Sequence, residues 1–207
     1  MGLGNPGSTY QNTRHNAGFW FVDQLAVLAG VSLYKPLFCS WRQAIVKYQS
    51  HTVVLIQPLT FMNQSGRILP RLQRRFGFER EHFLVAVDQM DLPPGRLRLK
   101  PKGSDAGHNG LKSLREAWGT DFFRRLTIGI GRPYDGAKVL EHVLGCLDTQ
   151  GRQIVDHALQ EAGVVFWSLL ADQKPGCTEV QFWEHYQNEL NRFRSSLPGS
   201  GSVSPSP

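Results

Sequence analysis

The chain has 207 residues, 41% of them hydrophobic, which is enough for one sizeable core, and its formal net charge is +6. No apolar run reaches the roughly 20 residues of a membrane span, and nothing at the N-terminus is laid out as a secretory signal. Three widely spaced cysteines, Cys39, Cys146 and Cys177, with no Cys-x-x-Cys pair, argue against a disulfide framework or zinc knuckle and for a reducing compartment.

Residues 2–14 read as loop, turning at Asn5-Pro6-Gly7. Thr13 or Asn16 is placed to cap a helix over 17–29. Its Phe19, Val22, Leu25, Ala26 and Ala29 share one face, and Gly30 stops it. Strands over 44–48 and 52–57 follow, joined through Ser50-His51. An arginine-rich helix covers 65–76. Residues 83–87 form a short apolar run, the pattern of a buried strand, and it delivers Asp88 at its C-terminal end. After a turn at Leu92-Pro93-Pro94-Gly95, Arg96-Leu97-Arg98-Leu99-Lys100 alternates basic and apolar at the strand period, burying leucines on one face and presenting cations on the other. A flexible loop over 103–107, a helix over 110–118 and a buried strand over 125–130 come next. Two longer helices finish the fold, one striped by Val155, Leu159, Ala162, Phe166 and Leu170, the other by Phe182, Trp183, Tyr186, Leu190 and Phe193. The Gly/Ser/Pro tail over 197–207 reads as disordered.

Strands alternating with helices indicate an α/β layered domain over 1–196 with a largely parallel sheet. In such sheets functional groups collect beyond the carboxyl ends of strands, where Asn5, Asn63 and Asp88 fall. Charge is unevenly spread: residues 67–132 hold 14 Lys and Arg against 7 Asp and Glu, while residues 133–207 hold 5 against 9. A positive field concentrated in mid-chain suits a polyanion on one face, although solvated surface charge accounts for it as well.

Four asparagines lie in short loops beside His, Pro or Gly: Asn5, Asn16, Asn63 and Asn109. A neutral amide offers two N–H donors and one acceptor. Several of them around one imidazole suit a carbonyl substrate that must be gripped and polarised. His15, in a polar loop against a helix start, is the first choice as general base, with Asp88 fixing its tautomer; His108 is the rival base. Gly2-Leu3-Gly4-Asn5-Pro6-Gly7 matches a dinucleotide fingerprint, but no helix runs from its third glycine and Asp23 lies inside a helix, so the match is a weak one. His15, His108, Asp88 and Asp91 show no metal-ligand spacing, and no metal is expected. The Gly-x-Ser-x-Gly elbow of serine esterases is missing.

Taken in order, Gly2–Gly7, Thr13-Arg14-His15-Asn16-Ala17-Gly18, Phe61-Met62-Asn63-Gln64-Ser65-Gly66, Asp88-Gln89-Met90-Asp91-Leu92-Pro93-Pro94-Gly95, Gly107-His108-Asn109-Gly110-Leu111-Lys112 and Ile128-Gly129-Ile130-Gly131-Arg132-Pro133 resemble the bacterial-type peptidyl-tRNA hydrolase family. The resemblance implies a single, monomeric α/β domain with a twisted mixed sheet between helices. It implies cofactor-free hydrolysis of the ester between a peptide and the 3′ end of tRNA, in the cytoplasm or an organelle. Carried over by position, His15 is the base, Asp88 orients it and Asn109 steadies the water or oxyanion. Asn5, Tyr10, Met62, Asn63 and His108 bind substrate at the 3′ end, and Arg98, Lys100 and Lys112 face acceptor-stem phosphates.

The sequence departs from the family pattern in places. The family's first strand precedes the Gly-rich loop, where this chain has only Met1. Thr127 stands where many members place an arginine thought to clamp the tRNA 5′ phosphate, with Arg124, Arg125 or Arg132 as substitutes. Gln89 replaces a usual Glu. The rival readings are a non-catalytic RNA-binding relative of the same fold and a nucleotide-dependent oxidoreductase.

Overall fold

A computed structural model describes residues 1–48, 51–133, 138–172 and 178–196. The expected tail and Cys177 lie outside these residues, as do the side chain of Phe193 and the turn at Ser50. Among them are five strands: β1 (Trp41–Tyr48), β2 (His51–Pro58), β3 (Leu84–Gln89), β4 (Leu97–Lys100) and β5 (Arg124–Gly129). Six α-helices accompany them: α1 (Ala17–Leu28), α2 (Leu69–Phe76), α3 (Asn109–Trp118), α4 (Val139–Leu144), α5 (Thr149–Ala171) and α6 (Glu179–Ser196).

The sheet is mixed, as expected, but parallel pairing is confined to β3–β5 and to one bridge at Gly2. β1 and β2 form an antiparallel hairpin, and β4 lies antiparallel on β5. The spatial order β3–β5–β4 puts β4, which presents Arg98, at an edge. The two sheets are joined by the chain start: Gly2 N–H donates to Ile56 O of β2, while Leu3 N–H donates to Ala86 O of β3 and Met1 O accepts from Ala86 N–H, each at 2.9 Å.

Side-chain alternation on β3 separates two cores. Ala86, with Leu126 and Ile128 of β5, faces α1, α5 and α6. Val85 and Val87 face Leu3, α2 and α3. α1 lies on the sheet because its apolar positions recur at helical spacing, and it ends at Gly30 (φ 66°), where Val31 N–H reaches Ala26 O and Gly30 N–H reaches Val27 O. That is the left-handed stop a glycine accepts without strain.

Three local expectations are corrected, and one helix was not foreseen. Neither Thr13 nor Asn16 caps a helix with its side chain; both are taken by other bonds described below. The arginine-rich helix begins as a 3₁₀ turn over Met62–Ile68 and becomes α-helical only from Leu69. The loop over 103–107 is tethered rather than free: Arg125 Nη1 donates to Ser104 O at 2.6 Å, Arg115 pairs with Asp105, and Gly107 N–H donates to Asp105 Oδ1. α4 has no counterpart in the sequence reading, because six residues carry too little periodicity to be seen. Cys39 and Cys146 are free thiols, and no helix of the described residues is long and apolar enough to cross a membrane.

Candidate active site

β3 is apolar along its length until Asp88, whose carboxylate is buried at the strand's C-terminal end. His15 is presented to it by a one-turn 3₁₀ helix over Arg14–Asn16 at the entrance to α1. The turn is pinned from several directions. Thr13 Oγ1 donates to Tyr10 O, Arg14 N–H donates to Gly145 O, and the Arg14 guanidinium donates to His142 O at the end of α4.

His15 Nδ1 lies 3.0 and 3.1 Å from the two Asp88 oxygens, and His108 Nε2 lies 2.9 Å from Asp88 Oδ1. The protons on both rings follow from their partners. His108 Nδ1 accepts from Gly110 N–H at 3.1 Å and Leu111 N–H at 3.3 Å, capping α3. Backbone N–H groups only donate, so Nδ1 carries no proton and Nε2–H donates to Asp88. His15 likewise donates from Nδ1, which leaves its Nε2 lone pair as the basic position. Both His108 nitrogens are thus occupied in holding α3 and Asp88. Burial by itself would raise the Asp88 pKa, but the charge and hydrogen bonds of His108 and His15 outweigh it and hold the group well below the usual carboxylate range.

A second network carries the neighbouring walls. Asn16 grips Asn5 by both ends of its amide, accepting from Asn5 N–H at 2.8 Å and donating to Asn5 O at 3.0 Å. Asn5 Oδ1 in turn accepts from Met62 N–H at 2.8 Å, which leaves the Asn5 amide N–H groups for other partners. Met62 is buried against Gly110, where an added Cβ would meet Met62 Sδ at 2.5 Å. Four distant loops are thus locked into one surface. Tyr10, half-buried, meets the exposed Phe61 edge-on with ring centroids 6.4 Å apart.

Of the residues singled out from sequence, His15, Asp88 and His108 touch one another, and Asn5 and Met62 are bonded together. Asn63 follows Met62 and is exposed; Asn109 is the exposed first residue of α3, next to His108. Among the described residues no hydrogen bond ties either amide to the histidine–aspartate cluster. Arg98 is exposed, Lys100 half-buried and Lys112 exposed on α3. Thr127 is buried and donates to Arg98 O, its partner across the β4–β5 pair, so it sits beside the basic strand. Arg125 is held by Ser104 O and Asp121, Arg124 donates to Glu81 O, and Arg132 pairs with Asp91 at 2.6 Å. The roles of Asn16, Arg14 and Phe61 were missed from sequence: the first two act through partners 11 and 128 positions away, for which no local signal exists.

The ligand atoms of His15, Asp88 and His108 lie within 4.8 Å of one another, so the cluster has the donor set for a divalent cation. Binding one would cost the two N–H protons that bond Asp88 and would occupy the carboxylate that orients His15.

The family model for peptidyl-tRNA hydrolase matches residues 1–188. This chain belongs to that family. A peptidyl-tRNA hydrolase of Bacillus licheniformis is 42% identical over 161 residues, covering 78% of this chain and 85% of the relative. One from Methylococcus capsulatus is 40% identical over 171 residues, covering 83% and 91%. Among solved structures, the Acinetobacter baumannii peptidyl-tRNA hydrolase superposes with a TM-score of 0.80 at 36% identity, covering 92% of each chain. The family's mixed α/β architecture is the one described above.

Proposed function

We propose that this chain hydrolyses the ester linking a peptide to the 3′ end of tRNA, returning tRNA from stalled or dropped-off peptidyl-tRNA. The observation that carries the reading is the buried carboxylate of Asp88 bonded to His15 Nδ1, which leaves Nε2 as the base. His15 Nε2 takes a proton from water as the oxygen attacks the ester carbonyl. The imidazolium so formed is stabilised by Asp88. Collapse of the tetrahedral intermediate breaks the bond to the ribose oxygen, which receives the proton from His15. A peptide carboxylate and a free 3′ hydroxyl are released.

Asn109 opens α3, where the helix's positive end favours a developing oxyanion. Asn5 and Asn63 hold the peptide main chain and terminal adenosine, with Tyr10 and Met62 along the groove. His108 serves the substrate through Asp88 and the α3 cap. Arg98, Lys100 and Lys112 meet acceptor-stem phosphates. General-base help of roughly 10²–10⁴-fold and an oxyanion donor worth roughly 10²–10³-fold suffice with positioning for an already activated ester. The chain works as a monomer in the compartment where translation runs. Release of labelled peptide from peptidyl-tRNA tests the reading, with His15→Ala as control. Equal release by both proteins sinks it.

A further inference from the structure

The arginine-rich helix has no part in the chemistry above. Residues 24–78 contain no Asp or Glu, yet Arg67, Arg71, Arg74 and Arg75 fall among them, all exposed, the first in the 3₁₀ turn and the others on α2. Arg71 stands three and four positions before Arg74 and Arg75, on one face, where like charges repel and weaken a helix. The opposite face is used up, with Leu69 and Leu72 buried in the core. Three of the four side chains are nevertheless fixed. Arg67 donates to Gln64 Oε1 at 3.2 Å, Arg71 donates to Phe38 O and lies 5.6 Å over the Trp41 ring, and Arg75 lies 5.6 Å over the Phe76 ring. Every one of these partners is neutral. Arg115, Arg125, Arg132 and Arg152 each meet a carboxylate, whereas among the described residues none of these four does. The stripe is held in place with its charge uncompensated, which suits an external anion.

Its position points to which anion. Gly66, one residue before Arg67, donates its N–H to Ser113 Oγ of α3 at 3.0 Å, and an added Cβ there would meet Ser113 O at 2.1 Å. Lys112 precedes Ser113, so Lys112 and Arg67 flank one backbone contact. From Arg67 to Arg75 the stripe extends about 12 Å, the length of about three phosphates along one strand of a duplex. We propose that Arg67, Arg71, Arg74 and Arg75 bind phosphates of the substrate's tRNA, carrying the surface begun at Lys112 outward along α2. The occupant rests on the hydrolase reading. An anionic bilayer is the rival partner for a basic helix, but α2 has no free apolar face to sink into lipid. Leu37 and Phe38, exposed beside Arg71, are two residues only, so a charged polymer fits and a membrane does not.

Deacylated tRNA, which is bound without being cleaved, is titrated by filter binding over a range of salt. Arg71→Gln with Arg74→Gln is compared with Arg42→Gln with Lys47→Gln, which removes the same charge from β1. There Arg42 points to the opposite face from Trp41, and Lys47 lies near the strand's far end. The first pair is expected to flatten the log–log slope by about 1.8, two duplex phosphates' worth, and the second to leave it unaltered. Arg67→Gln with Arg74→Gln spares the Arg71–Trp41 contact and should flatten it equally. In peptide release the α2 variants should keep kcat while KM rises. Failure of the hydrolase reading shows differently, as no release by the native chain, with the tRNA slopes still readable. Unaltered slopes in the α2 variants, equal flattening in the β1 control, or arginines needed for sedimentation with phosphatidylserine vesicles but not for the tRNA slope overturns the proposal.

Discussion

His108 and His15 place N–H groups on the same Asp88 oxygen, at 2.9 and 3.0 Å, with ring centroids 4.8 Å apart. One carboxylate therefore sets two tautomers, and only His15 has a nitrogen left over for chemistry.

His15→Ala removes that nitrogen and is expected to lower single-turnover peptide release by roughly 10²–10⁴-fold. Affinity for tRNA, measured separately by filter binding, should stay within about threefold, because phosphate contacts carry it. A parallel fall in binding would mean that His15 holds the substrate.

His108 has two jobs that substitution can separate. His108→Ala loses the α3 cap and should destabilise by about 1 kcal/mol, while His108→Asn keeps a capping oxygen and recovers most of that. Neither donates to Asp88 from the imidazole position, so turnover should drop in both. Restored turnover in His108→Asn would reduce the residue to a cap.

Asp88 gives a signed pH dependence. Its folded pKa is depressed by the two imidazoles, so its contribution is fully present above the ordinary carboxylate value of about 3.9 and is lost as pH falls through the lower folded value. The stability gap between the native chain and Asp88→Asn, read from urea melts, should hold above about pH 5 and close in strong acid. A gap that widened on acidification would reverse the assignment.

The Met1 amine gives a slope of the same sign in a higher pH window. Its pKa is lowered from 8.0 to about 5 by burial, so folding sheds a proton that the unfolded chain keeps. Stability should rise with pH between about 5 and 8, and the penalty at the acid end is about 4 kcal/mol. N-terminal acetylation should abolish that slope in thermal melts; an unaltered slope would place the titrating group elsewhere.

Arg98→Ala and Lys100→Ala should each weaken tRNA binding and flatten its dependence on salt, by about 0.9 in log–log slope for each duplex phosphate left without its cation. Salt titration of the affinity reads this directly.

Much of this was legible because it is local. The run at 83–87 announced a buried strand ending in Asp88, and the alternation over 96–100 announced a strand with a basic face; Leu99 is buried and Arg98 exposed. His15 was readable as a polar loop residue before a helix. What stayed hidden depends on distant partners. Asn16 had the look of a helix cap and became the clamp on Asn5, since a side-chain amide takes whichever backbone lies nearest in the fold. The occupied state of His108 required knowing that Asp88, 20 positions earlier, lies beneath it. The extent of parallel pairing was overread because the antiparallel partners, β1 with β2 and β4 with β5, use the same strand periodicity.

Gly18 governs the gauge of the reactive pair. It sits three positions after His15 in α1, and a Cβ there would meet Ala86 O at 2.3 Å and Leu3 N at 2.5 Å; Ala86 precedes Asp88 by two. Helix and strand touch backbone to backbone at that point, so a single methyl group would wedge them apart and stretch the imidazole–carboxylate bond without altering either partner. Tolerance to change at this position is thus a measure of how closely the chemistry depends on a fixed separation between two otherwise independent pieces of scaffold.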